Sequence, residues 1–523
     1  MARHCSERAI GETPAGGGSG PGDGSGAGLR RRFWPCDRGR GRDAGLARAA
    51  RTAALGRALC DRVRDLRRPS GPHNGRRRDA GPQSRHELRP APARDRRGTL
   101  SRRGPGAAHA WPVANGIRSD AGGTRAAVEQ RFRGGMRRWL VLALALWSLA
   151  ATAQPLDPGT IAKLLRHGPW PQAAIADPSN RVSGRPEAVA FGRALFVDAR
   201  LSADGRVACV TCHKPEHGFG DGLKLGRGLA EATRNTQGLF DVRLNRWFGW
   251  DGGNDTLWGQ SIRPILLPAE MGLTVAQAAA ILRREPDLAC GYRRAFARSP
   301  ESVADEALLV DLGKALAAFQ ETLGGGRSPF DDFRDALAAG DRIAAARYPA
   351  AAARGAALFV GRAQCAVCHL GPAFTNREFH DIGVPFFTAG DQVDPGRHQG
   401  LRRLAENRYG LLGPYNDDPA RATGLLSRQV AARHRNWGEF RVPSLRNVAL
   451  TAPYMHNGSV ASLRDAVRHY SELDESRLHA DGDRLLRALH LSEAEIDDLV
   501  AFLDSLTGAE ARAVKLAPPE PCR

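Results

Sequence analysis

Three things are scarce in this chain, and each scarcity removes a class of protein. Sustained polar–apolar alternation is rare, which argues against a fold built from half-buried strands. No apolar stretch is long enough to cross a bilayer comfortably, the best being Trp139 to Leu149. Lysine is missing from residues 1–135, whose 29 Arg and 12 Asp or Glu carry +17 of the net +20. The other 388 residues therefore hold 20 − 17 = +3. Basic charge confined to one end does not make the whole chain a nucleic-acid binder. No nucleic-acid partner and no stable membrane anchor are expected.

The Arg-rich quarter is also rich in Gly, Pro and Ala and has no apolar periodicity. It cannot bury enough apolar surface to offset chain entropy. Residues 1–135 read as a disordered extension, most simply an over-extended start. A basic nucleic-acid-binding arm and a functionless extension are the other readings. The reason lies at Met136, where Arg137 and Arg138 precede the apolar Trp139–Leu149 and the small Ala151-Thr152-Ala153. That series is a secretory signal peptide. The expectation is a signal peptide over 136–153 and a mature periplasmic protein beginning near Gln154.

Cysteine is sparse as well. Of nine, three lie in the Arg-rich quarter and four in two pentapeptides, Cys209-Val210-Thr211-Cys212-His213 and Cys365-Ala366-Val367-Cys368-His369. Cys290 and Cys522 remain, and the sequence does not decide whether they pair. Two thiols three residues apart can add to both vinyl groups of one porphyrin while the next His turns its ring to the iron. A zinc site would want two Cys-x-x-Cys pairs together. A redox dithiol would want a βαβ setting, which is missing. Two covalently bound haem c groups are therefore expected. The surroundings repeat too. Gly192-Arg193-Ala194-Leu195-Phe196 precedes the first motif and Phe219 follows it, while Gly355-Ala356-Ala357-Leu358-Phe359 and Phe374 flank the second, 156 residues on. This is a duplication on the domain scale.

Helical patterning is plausible at 186–197, 274–284, 303–323, 461–471 and 493–507, with Gly324-Gly325-Gly326 as a stop signal after the third. The fold class expected is all-α: two cytochrome-c-like haem domains with long loops. The first domain covers 154–335, the second 336–512, and a tail 513–523. Residues 376–440 form a loop-rich insertion.

What faces each iron opposite its His decides the chemistry. An iron with two protein ligands carries electrons, and one with an open position can activate a small molecule. After the first motif only His217 lies near, too close to His213 to reach across the ring, and no Met occurs between Cys209 and Trp250. The first haem is therefore expected to be open. Cleaving a peroxide bond needs a proton moved between its oxygens, which a buried carboxyl near the iron can do. Glu270 is the candidate, with Gln260 holding the peroxide. The plainer role for Glu270 is a charge before the 274–284 helix.

These residues resemble the bacterial di-haem cytochrome c peroxidase family, especially its MauG-like branch, over roughly 180–510. Two motifs carry the resemblance: Trp250-Asp251-Gly252 with Gln260, Pro264 and Glu270-Met271, and Phe440-Arg441-Val442-Pro443 running to Pro453-Tyr454-Met455-His456-Asn457-Gly458. The resemblance implies that hydrogen peroxide reacts at the first haem and that the second is a six-coordinate electron-transfer haem. It implies Glu270 as the acid–base residue, Gln260 and Pro264 in the distal pocket, and Trp250 as the bridge between haems. It implies a calcium held by the Asn235 side chain and the carbonyls of Thr451 and Pro453, where ordinary turn chemistry is the alternative.

Fourteen residues beyond His456, where other members have a Met ligand, this chain has Tyr470. The MauG-like branch places a tyrosine there. A phenolate is a harder, anionic donor that favours higher iron oxidation states. Met455 is the competing ligand. MauG itself has a tryptophan two residues before the second motif, where this chain has Ala363, so its particular protein substrate does not carry over. Trp437 is a loose candidate for a relay, with packing as its plainer role. Three functions follow. The first is peroxide reduction with electrons from a small c-type cytochrome or cupredoxin. The second is peroxide-driven oxidation of Trp or other side chains on a partner protein. The third is simple electron transfer.

Overall fold

In this computed structural model the described residues are 156–173, 175–384, 393–482, 485–520 and 522. The expected extension, 1–135, and signal peptide, 136–153, lie outside them. The architecture is mostly helical. Eleven helices position the sites: α1 Pro158–Leu164, α2 Pro186–Phe196, α3 Leu257–Leu266, α4 Val275–Arg284, α5 Pro286–Phe296, α6 Asp305–Gln320, α7 Pro329–Ala339, α8 Ala350–Val360, α9 Arg397–Glu406, α10 Leu463–Ser471 and α11 Glu493–Asp504. Among the described residues no helix is long and apolar enough to cross a membrane.

Local chemistry explains the helix boundaries. Proline occupies the first turn of α1, α2, α5 and α7, where its missing N–H costs nothing. The α4 start is a reciprocal cap, with Gln277 N donating to Thr274 Oγ1 at 3.2 Å and Thr274 N to Gln277 Oε1 at 2.8 Å. Ser492 and Glu495 repeat that cap on α11. Helix α6 ends at Gln320, four residues before the glycines expected to stop it.

Among the described residues two large apolar cores result, with a small third cluster of Trp247, Leu401 and Leu404. One gathers α2–α6 and is centred on α6, buried from Leu308 to Gln320. The other gathers α7, α8 and α11 around Phe330, Phe359, Phe374 and Phe502. The duplication is visible in how each core closes. A Cβ on Gly192 of α2 would sit 1.9 Å from the Ala315 carbonyl of α6 and 3.0 Å from Phe319 Cβ. A Cβ on Gly355 of α8 would sit 1.9 Å from the Asp498 carbonyl of α11 and 2.8 Å from Phe502 Cβ. In each half, glycine lets the helix before the Cys motif touch the backbone of the helix that closes the core.

The chain ends cross over, and this corrects the linear division at 335/336. Helix α1 buries Leu164 in the second core, where Phe330 and Phe359 offer apolar cover. The Trp170 indole donates to the Gly326 carbonyl at 3.0 Å, and the Arg446 guanidinium lies 3.7 Å from the Trp170 ring. Helix α7, assigned mostly to the first domain, likewise packs in the second core through Phe330 and Phe333. Conversely Val514 and Leu516 pack on the first core. Cys522 forms a disulfide with Cys290 of α5, settling a pairing the sequence left open.

The insertion is tied at its base by a two-stranded antiparallel ladder, β1 Phe379–His380 and β2 Phe440–Arg441, with Phe379 opposite Arg441. Its described residues include α9 and short 3-10 turns at Ala422–Gly424 and His434–Asn436. It docks through Asp417, which accepts from Lys314 Nζ of α6 at 2.6 Å.

Gly355→Ala should destabilise the fold by about 1–3 kcal/mol, the usual cost of overpacking. Denaturant unfolding of the variant against the parent measures it. An unchanged midpoint would show that α8 and α11 can separate freely.

Candidate functional site: two Cys-x-x-Cys-His centres

Each motif is built alike. In the first, Cys209–Cys212 form one helical turn and His213 follows. His213 Nδ1 faces the Phe219 carbonyl at 2.7 Å. In the second, His369 Nδ1 faces the Phe374 carbonyl at 3.0 Å. Both phenylalanines adopt left-handed backbone, φ 62° and 51°, which aims the carbonyl back at the ring. A carbonyl accepting from Nδ1–H leaves Nε2 as the ligating nitrogen. Burial holds both imidazoles toward the neutral form, His369 down to about 4. Burial also pushes the thiols up, Cys209 and Cys365 to about 12 and Cys212 to about 11. A redox dithiol needs the opposite shift, so the geometry disfavours that reading.

One acidic group outside each motif stands within electrostatic reach of both its thiols. At the first motif it is Glu270, and at the second it is Tyr470. Glu270 is placed by a turn against residues 228–230. Leu229 N donates to the Glu270 carbonyl at 3.0 Å, and Gly228 leaves no room there for a side chain. Cys212 Sγ lies 3.4 Å from the neighbouring Arg227 carbonyl. Burial raises the Glu270 pKa, and the Arg263 guanidinium, 3.4 Å from Oε1, opposes that rise. Gln260 and Pro264 lie one turn apart on α3. Asn254 Nδ2 donates to Gln260 Oε1 at 2.7 Å, leaving the Gln260 amide N–H₂ as the donor for anything in the pocket. His217 holds its ring beside Gly222.

The second motif opens on a cavity of about 540 Å³, a size suited to a cofactor. Cys365, Cys368 and His369 line it, as do Tyr470, Met455, Ala363 and Trp250. Asn235, Thr451 and Pro453 share its wall. Tyr470 comes from α10, and burial together with the two thiols pushes its phenol upward. Trp250 donates its indole N–H to the Asn235 carbonyl at 2.8 Å, at the edge that reaches back to Gly218, next to the Phe219 that orients His213. Trp437 instead stacks on His398, 4.9 Å between centroids, on the far side of β2 in sequence.

Two basic residues that matter were not singled out from the sequence. Arg441 is 6% exposed and lines the cavity, yet its contacts are neutral: the Gly249 carbonyl at 3.3 Å and Asn245 Oδ1 at 3.4 Å. A guanidinium buried with no carboxylate partner among the described residues suits a dianionic porphyrin, whose propionates would supply the counter-charge. The residues present therefore fit a haem here. Arg234 carries the other role. It bridges buried Asp251 at 2.5 Å and Asp394 at 2.6 Å, while Arg403 of α9 takes the same Asp251 oxygen. Arg397 donates to the Asp251 and Gly252 carbonyls at 3.2 and 2.8 Å. The insertion thus clamps the backbone that carries Trp250. The signal for Arg441 and Asp251 was their place inside the two long motifs. Arg234, Arg397 and Arg403 gave none.

Residues 186–338 match the family model described as di-haem cytochrome c peroxidase. MauG, the methylamine utilization protein of Methylorubrum extorquens, is 36% identical over 63% of this chain and 81% of its own length. The chain belongs to the di-haem cytochrome c peroxidase family. Cytochrome-c peroxidase IdrP1 of Pseudomonas sp. (strain SCT) is 32% identical over 62% of this chain and 82% of its own. A solved MauG-like protein associated with microbial copper homeostasis superposes with a TM-score of 0.52 at 26% identity, covering 68% of this chain and 97% of that one. The diheme peroxidase BthA of Burkholderia thailandensis, at 23% identity and TM-score 0.51, shares the fold, covering 68% of this chain and 94% of its own. This di-haem peroxidase is accordingly an oxidoreductase whose family uses two haems.

Two guanidiniums hold the Asp251 carboxylate down to about 2 against the burial that would raise it. The stability it contributes is therefore complete above the unfolded-state value near 4 and is lost as pH falls through 2. Asp251→Asn should cost about 3–5 kcal/mol at neutral pH, as for a broken buried pair. The gap between parent and variant, followed by denaturant unfolding, should narrow from pH 4 towards pH 2. A gap independent of pH would show that the charge is not what holds the clamp.

Proposed function

We propose that this chain is an exported, periplasmic enzyme with two thioether-bound haems, which reduces hydrogen peroxide at the Cys209–Cys212–His213 site. Electrons reach that site through the Cys365–Cys368–His369 site. The observation that carries this reading is the unequal pair of acidic groups at the two motifs, Glu270 at one and Tyr470 at the other. His213 and His369 would each hold a haem iron, which would supply redox chemistry when bound.

The chain's own residues supply the rest. Glu270, raised by burial, holds a proton nearer neutral pH than an exposed carboxyl and can pass it between the two peroxide oxygens at Oε2. Arg263 beside Oε1 keeps it from staying protonated throughout. Gln260 offers its N–H₂ to peroxide, and Pro264 walls the same side of α3. Trp250, on the wall of the second motif's cavity, is the bridge proposed between the two centres. Asn235 with the Thr451 and Pro453 carbonyls is the candidate calcium site; all three line the same cavity as Trp250. A small c-type cytochrome or cupredoxin is the donor proposed.

Tyr470 favours a second reading within the same chemistry, MauG-like oxidation of side chains on a partner protein. A phenolate ligand favours iron states above ferric more than a thioether does. Ala363, on the cavity wall and buried, cannot relay an electron as the tryptophan of MauG does, so a different substrate is implied.

One equivalent of hydrogen peroxide added to the fully oxidised protein discriminates. A long-lived two-haem oxidised spectrum supports partner oxidation, and a need for prior half-reduction supports peroxide reduction. No reaction in either state would leave only an electron carrier. Glu270→Gln should slow peroxide turnover by about 10²–10⁴-fold; parental rates would remove Glu270 from the mechanism. Tyr470→Phe should alter the optical and EPR spectra of the second haem, and unchanged spectra would hand the ligand position to Met455.

A further inference from the structure

We propose a second metal centre, separate from either haem site: a surface site for one divalent transition ion, zinc in the first instance, formed by His434, His479 and Asp481. A ligand atom from each of the three lies within 4.8 Å of the others. His434 belongs to the insertion, on the turn His434–Asn436, and the other two lie in the loop after α10. His434 is 47 residues from Asp481, so no local turn brings those two together.

The geometry is that of ligands already gathered. His434 Nδ1 and Asp481 Oδ2 are 2.9 Å apart. The two imidazoles meet edge to face, 5.1 Å between centroids, with neither ring stacked over the other. The His479 side is braced: its backbone N–H donates to Asp381 Oδ2 at 2.7 Å, and Asp381 Oδ1 accepts from Gly383 N at 2.9 Å. The Asp481 N–H, 3.2 Å from His479 Nδ1, restrains the ring further. Two imidazoles and one carboxylate, with a fourth position left to water, are a ligand set that zinc takes readily. Copper(II) competes by the general affinity order. Arg433 and Arg435 flank His434 in sequence, so ligation rather than field must hold the ion.

An ion here would pin the insertion at His434 to the loop that carries His479 and Asp481. Asp381, which accepts from the His479 N–H, lines the cavity at the second Cys-x-x-Cys-His motif, as do Leu485, Leu486 and Arg487. The site is thus a clamp on the rim of that cavity.

The test uses the complete holoprotein, stripped of loose metal with a chelator and dialysed against zinc, with bound zinc measured by elemental analysis. One zinc per chain is expected. His434→Ala and His479→Ala should each lower affinity by at least about tenfold, the range typical even for weaker ligand-sphere changes. His434 is 76% exposed at its side chain, so its loss leaves the fold intact, and the parental unfolding temperature checks this. Zinc should slow amide exchange over 478–482 in the parent and not in His434→Ala. Stoichiometric zinc retained by the His434→Ala/His479→Ala double variant, no zinc bound by the parent, or exchange unaffected by bound zinc would each overturn the proposal.

Discussion

The buried carboxylate of Asp251 is the constraint on which the arrangement between the two centres depends. It takes its charge balance from Arg234 in the first half and Arg403 in the insertion, and Arg234 passes the charge on to Asp394. A lone carboxylate at this depth would be costly. Four alternating charges and the Gly253 N–H make the cost bearable. What is gained is position: the backbone at 249–253 is held from three directions, and Trp250 is set with its indole on the Asn235 carbonyl. The indole of Trp250 is thus fixed by hydrogen bonding and by the charge pairs at the adjacent Asp251.

Around that clamp the molecule is a duplicated design made unequal. Gly192 and Gly355 bring equivalent helices to within backbone contact, and Phe219 and Phe374 turn equivalent carbonyls to equivalent imidazoles. These shared features hold the Cys-x-x-Cys-His units. The differences come from what arrives opposite. The first motif meets a carboxyl on a turn after α3, whose pKa burial raises and Arg263 lowers. The second meets a phenol on the rigid α10 and a buried Arg441 with no carboxylate partner among the described residues. The proposed division of labour rests on this inequality: a carboxyl raised by burial at one centre and a cavity with a buried guanidinium at the other.

The crossed ends bind the halves together in a way that neither core requires for itself. Leu164 and Trp170 serve the second core, Val514 and Leu516 the first, and the Cys290–Cys522 disulfide closes the exchange. Arg446 shows how tightly this is done. It pairs with Asp331 through two bonds of 2.9 Å and presents its face to Trp170 at 3.7 Å, so one guanidinium joins α7, the second long motif and the incoming chain. A disulfide of this kind belongs to an oxidising compartment, in keeping with the export proposed above.

How much of this was legible beforehand follows the range of the interaction. The Cys-x-x-Cys-His spacing, the repeated Gly-x-Ala-Leu-Phe helices, and the starts of α2, α4, α6, α10 and α11 are local, set by covalent geometry and by apolar period, and the sequence alone determined them. Glu270, Gln260 and Trp250 could be named because they sit in one continuous motif. Helices α3 and α9 were not read, since Pro264 interrupts the pattern of one and charged residues crowd the other. Arg441's burial, the Arg234–Asp251–Arg403 clamp, the crossed termini and the Cys290–Cys522 pair were decided only by the tertiary structure. Each depends on groups separated by many residues meeting in a low-dielectric interior, and no one-dimensional period encodes that meeting.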